Sequence, residues 1–135
     1  MPDIDIADLL RRALRAKGCS DQQVGSFDMH SNIELELLNM PSLNLERVND
    51  DFWFWSVLDY QGSSHIQTCA PALLSFLLDG AEFARTGQMQ LLQTEDRLEL
   101  RSMIGASAFE NEHAFGQALE EFLGGIEIVK GILGR

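Results

Sequence analysis

The sequence predicts an α+β domain in the order helix, three-stranded antiparallel meander, helix, β-hairpin, helix. Two observations carry this. Apolar residues recur every three or four positions near both ends of the chain and in a segment after residue 62, which is the helical period. Between Ser31 and Asp59, and again between Met89 and Ile104, the period falls to two, the signature of half-buried strands.

The first helix starts at Asp5, a capping residue, and carries Ile6, Leu9, Leu10, Ala13 and Leu14 on one stripe. Arg11, Arg12, Arg15 and Lys17 gather toward its C-terminal half, where cations suit the helix dipole, and Gly18 ends it. In the first strand Ile33, Leu35 and Leu37 alternate with Asn32, Glu34 and Glu36. Asn39-Met40-Pro41-Ser42 reads as a turn, after which Leu43 and Leu45 alternate with Asn44 and Glu46. Arg47 and Val48 reverse that phase, so the second strand is expected to end there, before an Asn49-Asp50-Asp51 turn.

The third strand, Phe52 to Leu58, is apolar on both faces. Phe52, Phe54 and Leu58 share one face, and Trp53, Trp55 and Val57 share the other. A second helix, capped by Ser63 or Ser64, carries Ile66, Ala70, Leu73, Leu74 and Leu77, with Phe76 and Leu78 widening the stripe. Pro71 requires either a kink or a helix that begins near it. Met89–Gln93 and Leu98–Ile104 form a hairpin about Thr94-Glu95-Asp96-Arg97. The last helix starts near Asn111 and presents Phe115, Leu119, Phe122, Ile126, Val129 and Leu133. Its Gly124-Gly125 pair costs roughly 1 kcal/mol per Gly relative to Ala, and marks a bend or a close approach.

At 135 residues the chain suits a single domain, residues 1–135, with one core. The net charge of −11 favours solubility and repels phosphate backbones, which argues against nucleic acid as partner. No run approaches the roughly 18 apolar residues of a membrane span. The first residues lack the basic start and small-residue cleavage site of a secretory signal. Cys19 and Cys69 have no metal or redox spacing and read as reduced thiols of a cytosolic chain.

Catalytic patterns are sparse. His30, His65 and His113 have no partner at metal-ligand spacing, and Asp28-x-His30 fits turn hydrogen bonding better than a metal site. Asp59, Ser63, Ser64 and His65 are close in sequence, but no nucleophile elbow surrounds either serine. Cys69, four residues after His65, fits a packing position in the apolar stripe better than a thiolate pair. No phosphate-loop, dinucleotide or EF-hand spacing occurs, so no catalytic residue, metal or cofactor is assigned. The competing expectation is a small α+β enzyme or ligand-binding domain with a pocket near Asp28 and His30.

The apolar surplus of Phe52-Trp53-Phe54-Trp55, together with the second helix's stripe, suggests surface to be covered by another chain. Several motifs point the same way: Asp5-Ile6-Ala7-Asp8-Leu9 with Gly18-Cys19, Asp28-x-His30-Ser31-x-Ile33, and Met40-Pro41-Ser42-Leu43-x-Leu45. Asn49-Asp50-Asp51 with Trp53-x-Trp55 follows, then Phe83-Ala84-Arg85-x-Gly87-Gln88. In order and spacing over nearly the whole chain these resemble the class IB type III secretion chaperones, the InvB/SpaK group. Pro71 departs from the family pattern.

The resemblance implies a non-enzymatic homodimer of the bacterial cytoplasm. It would bind the N-terminal regions of secreted effectors, several of them, as extended segments, and the secretion ATPase is a further partner to consider. By family analogy Ile66, Leu73, Leu74 and Leu77 are expected at the dimer interface. Leu10, Leu14, Leu43, Leu45 and Trp53 are expected at exposed positions that contact effector.

Overall fold

A computed structural model describes residues 5–19 and 32–134. The elements are α1 (Ile6–Ala16), β1 (Ile33–Leu35), β2 (Leu43–Val48), β3 (Asp51–Leu58), α2 (Gly62–Leu78), β4 (Gln90–Gln93), β5 (Leu98–Met103) and α3 (Glu112–Leu133). A single 3₁₀ turn, Ala106–Phe109, precedes α3. The strands form one antiparallel sheet in the order β1-β2-β3-β5-β4. The second hairpin therefore joins the meander through β5, and β1 and β4 are left as the edges.

Directly opposed residues share a face of the sheet. Leu45 opposes Phe54, which opposes Ser102; Ser56 opposes Leu100, and Leu58 opposes Leu98. All of these are buried. Over them lies α3, whose Phe115 and Phe122 rings stack 5.9 and 5.3 Å from the ring of Phe54, with Phe83 closing the cluster. Helix α1 packs on α3 through Ala13 and the Lys17 stem, which run against Gly116, and Lys17 pairs with Glu120 at 2.6 Å.

The helix ends follow their sequence signals. Asp5 caps α1 by accepting from the Asp8 amide at 3.0 Å, and Asn111 caps α3 by accepting from Ala114 at 2.8 Å. The Gly124-Gly125 pair sits within an uninterrupted α3, and only Gly125 is a close approach. A Cβ there would stand 2.8 Å from Met89 Sδ and 3.3 Å from Phe76, whereas one at Gly124 would meet nothing.

Three expectations need correction. β2 ends at Val48, where the phase reverses, but Asp51, expected in the turn, pairs with Val48 and opens β3, and Asn49 makes the tight turn at φ 58°. The Arg47 guanidinium lies 5.5 Å from the Phe52 ring centre, so its stem takes an apolar position without breaking the strand. Of the two courses expected at Pro71, a helix beginning near it is overturned: α2 runs from Gly62 and includes Pro71. Its missing N–H removes the bond to the Gln67 carbonyl, and both residues are exposed, so water can hydrate that carbonyl. Neither Ser63 nor Ser64 caps α2; instead the Gln61 amide donates to Nδ1 of His65 at 2.8 Å.

Candidate functional site

Helices α1 and α3 cover one face of the sheet. The other face carries Glu34 from β1, Asn44 and Glu46 from β2, Trp53, Trp55 and Val57 from β3, Glu99, Arg101 and Met103 from β5, and Leu92 from β4. Helix α2 does not reach over to it. It runs antiparallel along α3, with His65 beside Leu133, Cys69 beside Ile132 and Phe76 near Gly125. Trp53 and Trp55 are half-buried and Val57 is exposed.

This face has a definite electrostatic structure. Arg101 lies over the Trp53 ring at 5.0 Å and Arg97 over the Trp55 ring at 5.6 Å. Between the two cations Glu99 pairs with Arg97 at 3.2 Å and with Arg101 at 3.3 Å. Glu99 is buried, and two guanidinium partners compensate its desolvation. Each cation–π contact contributes about 0.5–1 kcal/mol at such a site and holds the indole rings in place. Asn44 is buried as well: its Oδ1 accepts from Asn32 at 2.6 Å, and its Nδ2 donates to the Trp55 carbonyl at 3.4 Å. A groove of about 340 Å³ opens beside Trp55, walled by Glu34, Ser42, Asn44, Val57 and Arg97.

A second apolar surface lies on α2. That helix turns Leu73 into the core and half-buries Ile66, Cys69, Phe76 and Leu77 against the rest of the molecule. Leu74 and Leu78 point outward, 57% and 66% exposed, one turn apart on the same face. Of the residues expected at a dimer interface, Leu74 is thus freely available, Ile66 and Leu77 are partly so, and Leu73 is committed to its own core. Leu78, assigned in sequence only to widening the stripe, belongs with Leu74.

The residues expected to contact effector divide in the same way. Leu10, Leu43 and Leu45 are not exposed, which corrects their placement: all three are essentially inaccessible. Leu10 sits in the α1 stripe that faces the core, and Leu43 and Leu45 lie on the helix-covered face of β2. Leu14 and Trp53 are half-buried and reach the surface. Sequence reasoning missed Arg97, Glu99 and Arg101, although an alternating row of charges along one strand was there to be read beside the apolar Leu98 and Leu100.

His65 has both ring nitrogens engaged. Because Nδ1 accepts from the Gln61 amide, Nε2 carries the proton and donates to the Leu133 carbonyl at 2.9 Å. It ties the start of α2 to the end of α3. Cys69 Sγ likewise donates to the Ile132 carbonyl at 3.4 Å, and both cysteines are free thiols. Asp28 and His30, the centre of the alternative pocket, lie outside the described residues. Among the described residues no cluster of three or more His, Cys, Asp or Glu is arranged to hold a metal, and no helix is long and apolar enough to cross a membrane.

The motifs of the resemblance serve packing. Phe83 is in the aromatic core, and its carbonyl accepts from Gly105 at 2.8 Å. The Arg85 amide donates to Met103, its guanidinium pairs with Asp51 at 2.6 Å, and Gly87 turns the chain at φ 83°. The Phe83–Gln88 loop thus fastens to the end of β5 and to the Asn49-Asp50-Asp51 turn.

Two solved structures share this architecture. A chain of the heterodimeric ExoU–SpcU complex from the type III secretion system of Pseudomonas aeruginosa superposes with a TM-score of 0.56, at 15% identity, over 91% of this chain and 96% of that one. YbjN, a putative transcription regulator from E. coli, gives 0.58 at 12% identity, over 97% and 92%. At such identities the likeness is one of fold alone, and two so differently described proteins show that the fold does not name the function. Sequence is more specific. The surface presentation of antigens protein SpaK of Salmonella typhimurium (strain LT2) is 32% identical over 135 residues, the whole of both chains, and that of Salmonella typhi matches equally. Residues 18–95 fit the model of the invasion protein B family. The chain therefore belongs to the invasion protein B family, the InvB/SpaK group of type III secretion chaperones whose motifs its sequence carries.

Proposed function

We propose that this protein is a non-catalytic chaperone of the bacterial cytoplasm that holds the N-terminal region of secreted effectors as an extended segment, keeping them soluble and competent for secretion. The observation that carries the reading is the pair of uncovered apolar surfaces: the Trp53/Trp55/Val57 face of the sheet and the Leu74/Leu78 face of α2, on a chain of the invasion protein B family. Leaving such side chains in water costs about 25 cal/mol per Å² of apolar surface that could be buried, so a second copy and a client are stabilised by covering them.

The two surfaces divide the work. α2 joins two copies through Leu74 and Leu78, supported by Ile66 and Leu77, and the resulting homodimer offers its sheet faces and edge strands to the client. An extended segment can supply main-chain hydrogen bonds to an edge strand and side chains to shallow apolar sites, a mode that tolerates several client sequences. Because the client is ordered on binding, the contact has to be large, and one segment spanning two chaperone copies provides that area. Docking of the loaded chaperone at the secretion ATPase fits the same reading.

Co-expression with N-terminal regions of secreted proteins encoded nearby, followed by co-purification in nucleotide-free buffer, tests it. Retention of at least one such region is expected. Failure to retain any region across the panel, with the chaperone itself folded, overturns the reading.

A further inference from the structure

The Trp55 groove holds two donors with no acceptor. Trp55 Nε1–H and Arg97 Nε–H are buried side-chain groups without a hydrogen-bond partner among the described residues. They belong to stacked side chains, since the Arg97 guanidinium lies 5.6 Å from the Trp55 ring centre. An unsatisfied buried donor forfeits roughly 1–3 kcal/mol, so a well-ordered aromatic site that leaves two of them together is built for an acceptor that arrives later. Arg97 is the more accessible of the two: its side chain is 42% exposed, and both side chains line the groove.

The charges of the face choose the acceptor. Arg97 and Arg101 contribute two positive charges and Glu99 cancels one. Glu34 and Glu46 on the neighbouring strands of the same face turn the local balance to −1. A carboxylate would be repelled there, and the chain's net charge of −11 adds to that. A neutral carbonyl oxygen meets no such penalty. Indole N–H groups over apolar walls are the means by which aromatic grooves hold the main chain of extended, polyproline-like segments.

We propose that the Trp55 groove is a seat for the main chain of an extended peptide: the Trp55 indole N–H and the Arg97 side chain donate to its backbone carbonyls while Val57 and the indole ring pack one of its side chains. This rests on the proposed function and deepens it, since a seat that reads carbonyls accepts clients of different sequence.

The only two tryptophans of the chain, Trp53 and Trp55, both lie on this face, so the test is direct. Isotope-labelled protein shows two indole N–H resonances in a proton–nitrogen correlation spectrum, and Trp55→Phe assigns them. The probe is a tryptophan-free N-terminal region of a co-purifying secreted protein. On binding, the Trp55 indole resonance is expected to move downfield and gain protection from exchange with solvent. Trp55→Phe, which keeps a smaller aromatic ring and removes the donor, is expected to weaken binding at least about three- to tenfold, as for one lost hydrogen bond and some ring contact. Arg97→Met, which keeps the stem, is expected to weaken it by a similar factor; it also removes one of the two partners of Glu99, so the melting temperature is expected to fall modestly, Arg101 still pairing with Glu99. A client region that binds while both indole resonances stay in place, and that both variants hold with unaltered affinity, overturns the seat and leaves the chaperone reading standing. A wild-type protein that captures no region at all overturns both.

Discussion

Charged substitutions on α2 separate a dimer contact from a core contact. Leu73 and Leu74 are neighbours in sequence with opposite environments: Leu73 is 4% exposed inside its own chain, and Leu74 is 57% exposed. Removing most of a buried leucine costs about 2–5 kcal/mol, and an unpaired charge in its place costs more, against a total stability of about 5–15 kcal/mol. Leu73→Asp is therefore expected to unfold or aggregate the chain whatever its oligomeric state, and says nothing about the interface. Leu74→Asp and Leu78→Asp place their charges in water, where substitutions cost within about 0.5 kcal/mol of the isolated fold. If α2 joins two copies, burying two leucine side chains per chain contributes about 1.5–3 kcal/mol for each, all of which the double variant forfeits while adding four carboxylates to one interface. The dimer is then expected to dissociate at micromolar concentration into folded monomers. Light scattering coupled to size exclusion reads the mass, and far-ultraviolet circular dichroism checks the fold. A double variant that stays dimeric at the concentrations of the wild type refutes the assignment of α2 to the interface.

Further expectations concern the fold. Gly105→Ala would bring a Cβ within 2.9 Å of the Phe83 carbonyl oxygen, a backbone atom that already accepts from Gly105, so a loss of about 1–3 kcal/mol is expected in denaturant melts. Gly124→Ala meets open space in mid-helix and is expected to stabilise by about 0.8–1 kcal/mol, whereas Gly125→Ala drives into Met89 and is expected to lose that gain. Asn111→Ala removes the α3 cap and is expected to cost about 1 kcal/mol. Arg85→Ala breaks an exposed ion pair with Asp51 and is expected to cost less than about 1 kcal/mol, an effect that shrinks further in high salt.

Much of the fold is legible in the sequence because its strongest signals are local. The cap Asp5, the start of the last helix near Asn111, the two faces of β3, the shared face of Leu98 and Leu100 in β5, and the spacing from Phe115 to Leu133 appear as read, whereas β1 stops at Leu35, short of Leu37. What failed depends on neighbours distant in sequence. Nothing local in β2 says that Leu43 and Leu45 lie under the helices; that follows from their register against Phe54 and from α3 lying on the same face. The phase reversal at Arg47 and Val48 does mark the end of β2, but the tight Asn49 turn lets Asp51, read as part of the turn, pair with Val48 and start β3. Pro71 reads as a kink or as the start of the helix; the second course fails, because α2 runs from Gly62 through Pro71, whose lost hydrogen bond is exposed to water. The surfaces were legible only as surplus: the pattern shows that β3 has two apolar faces and α2 a wide stripe. Which face stays open depends on the packing of α2 along α3, through His65, Cys69 and Phe76.

The most direct test of the chaperone account is the native mass of the protein purified together with the N-terminal region of a secreted protein, without nucleotide, measured by light scattering. The account predicts one stable species containing two copies of this chain and one client segment, with the isolated segment unfolded. Separate elution of the chain and every client region offered to it would contradict the account.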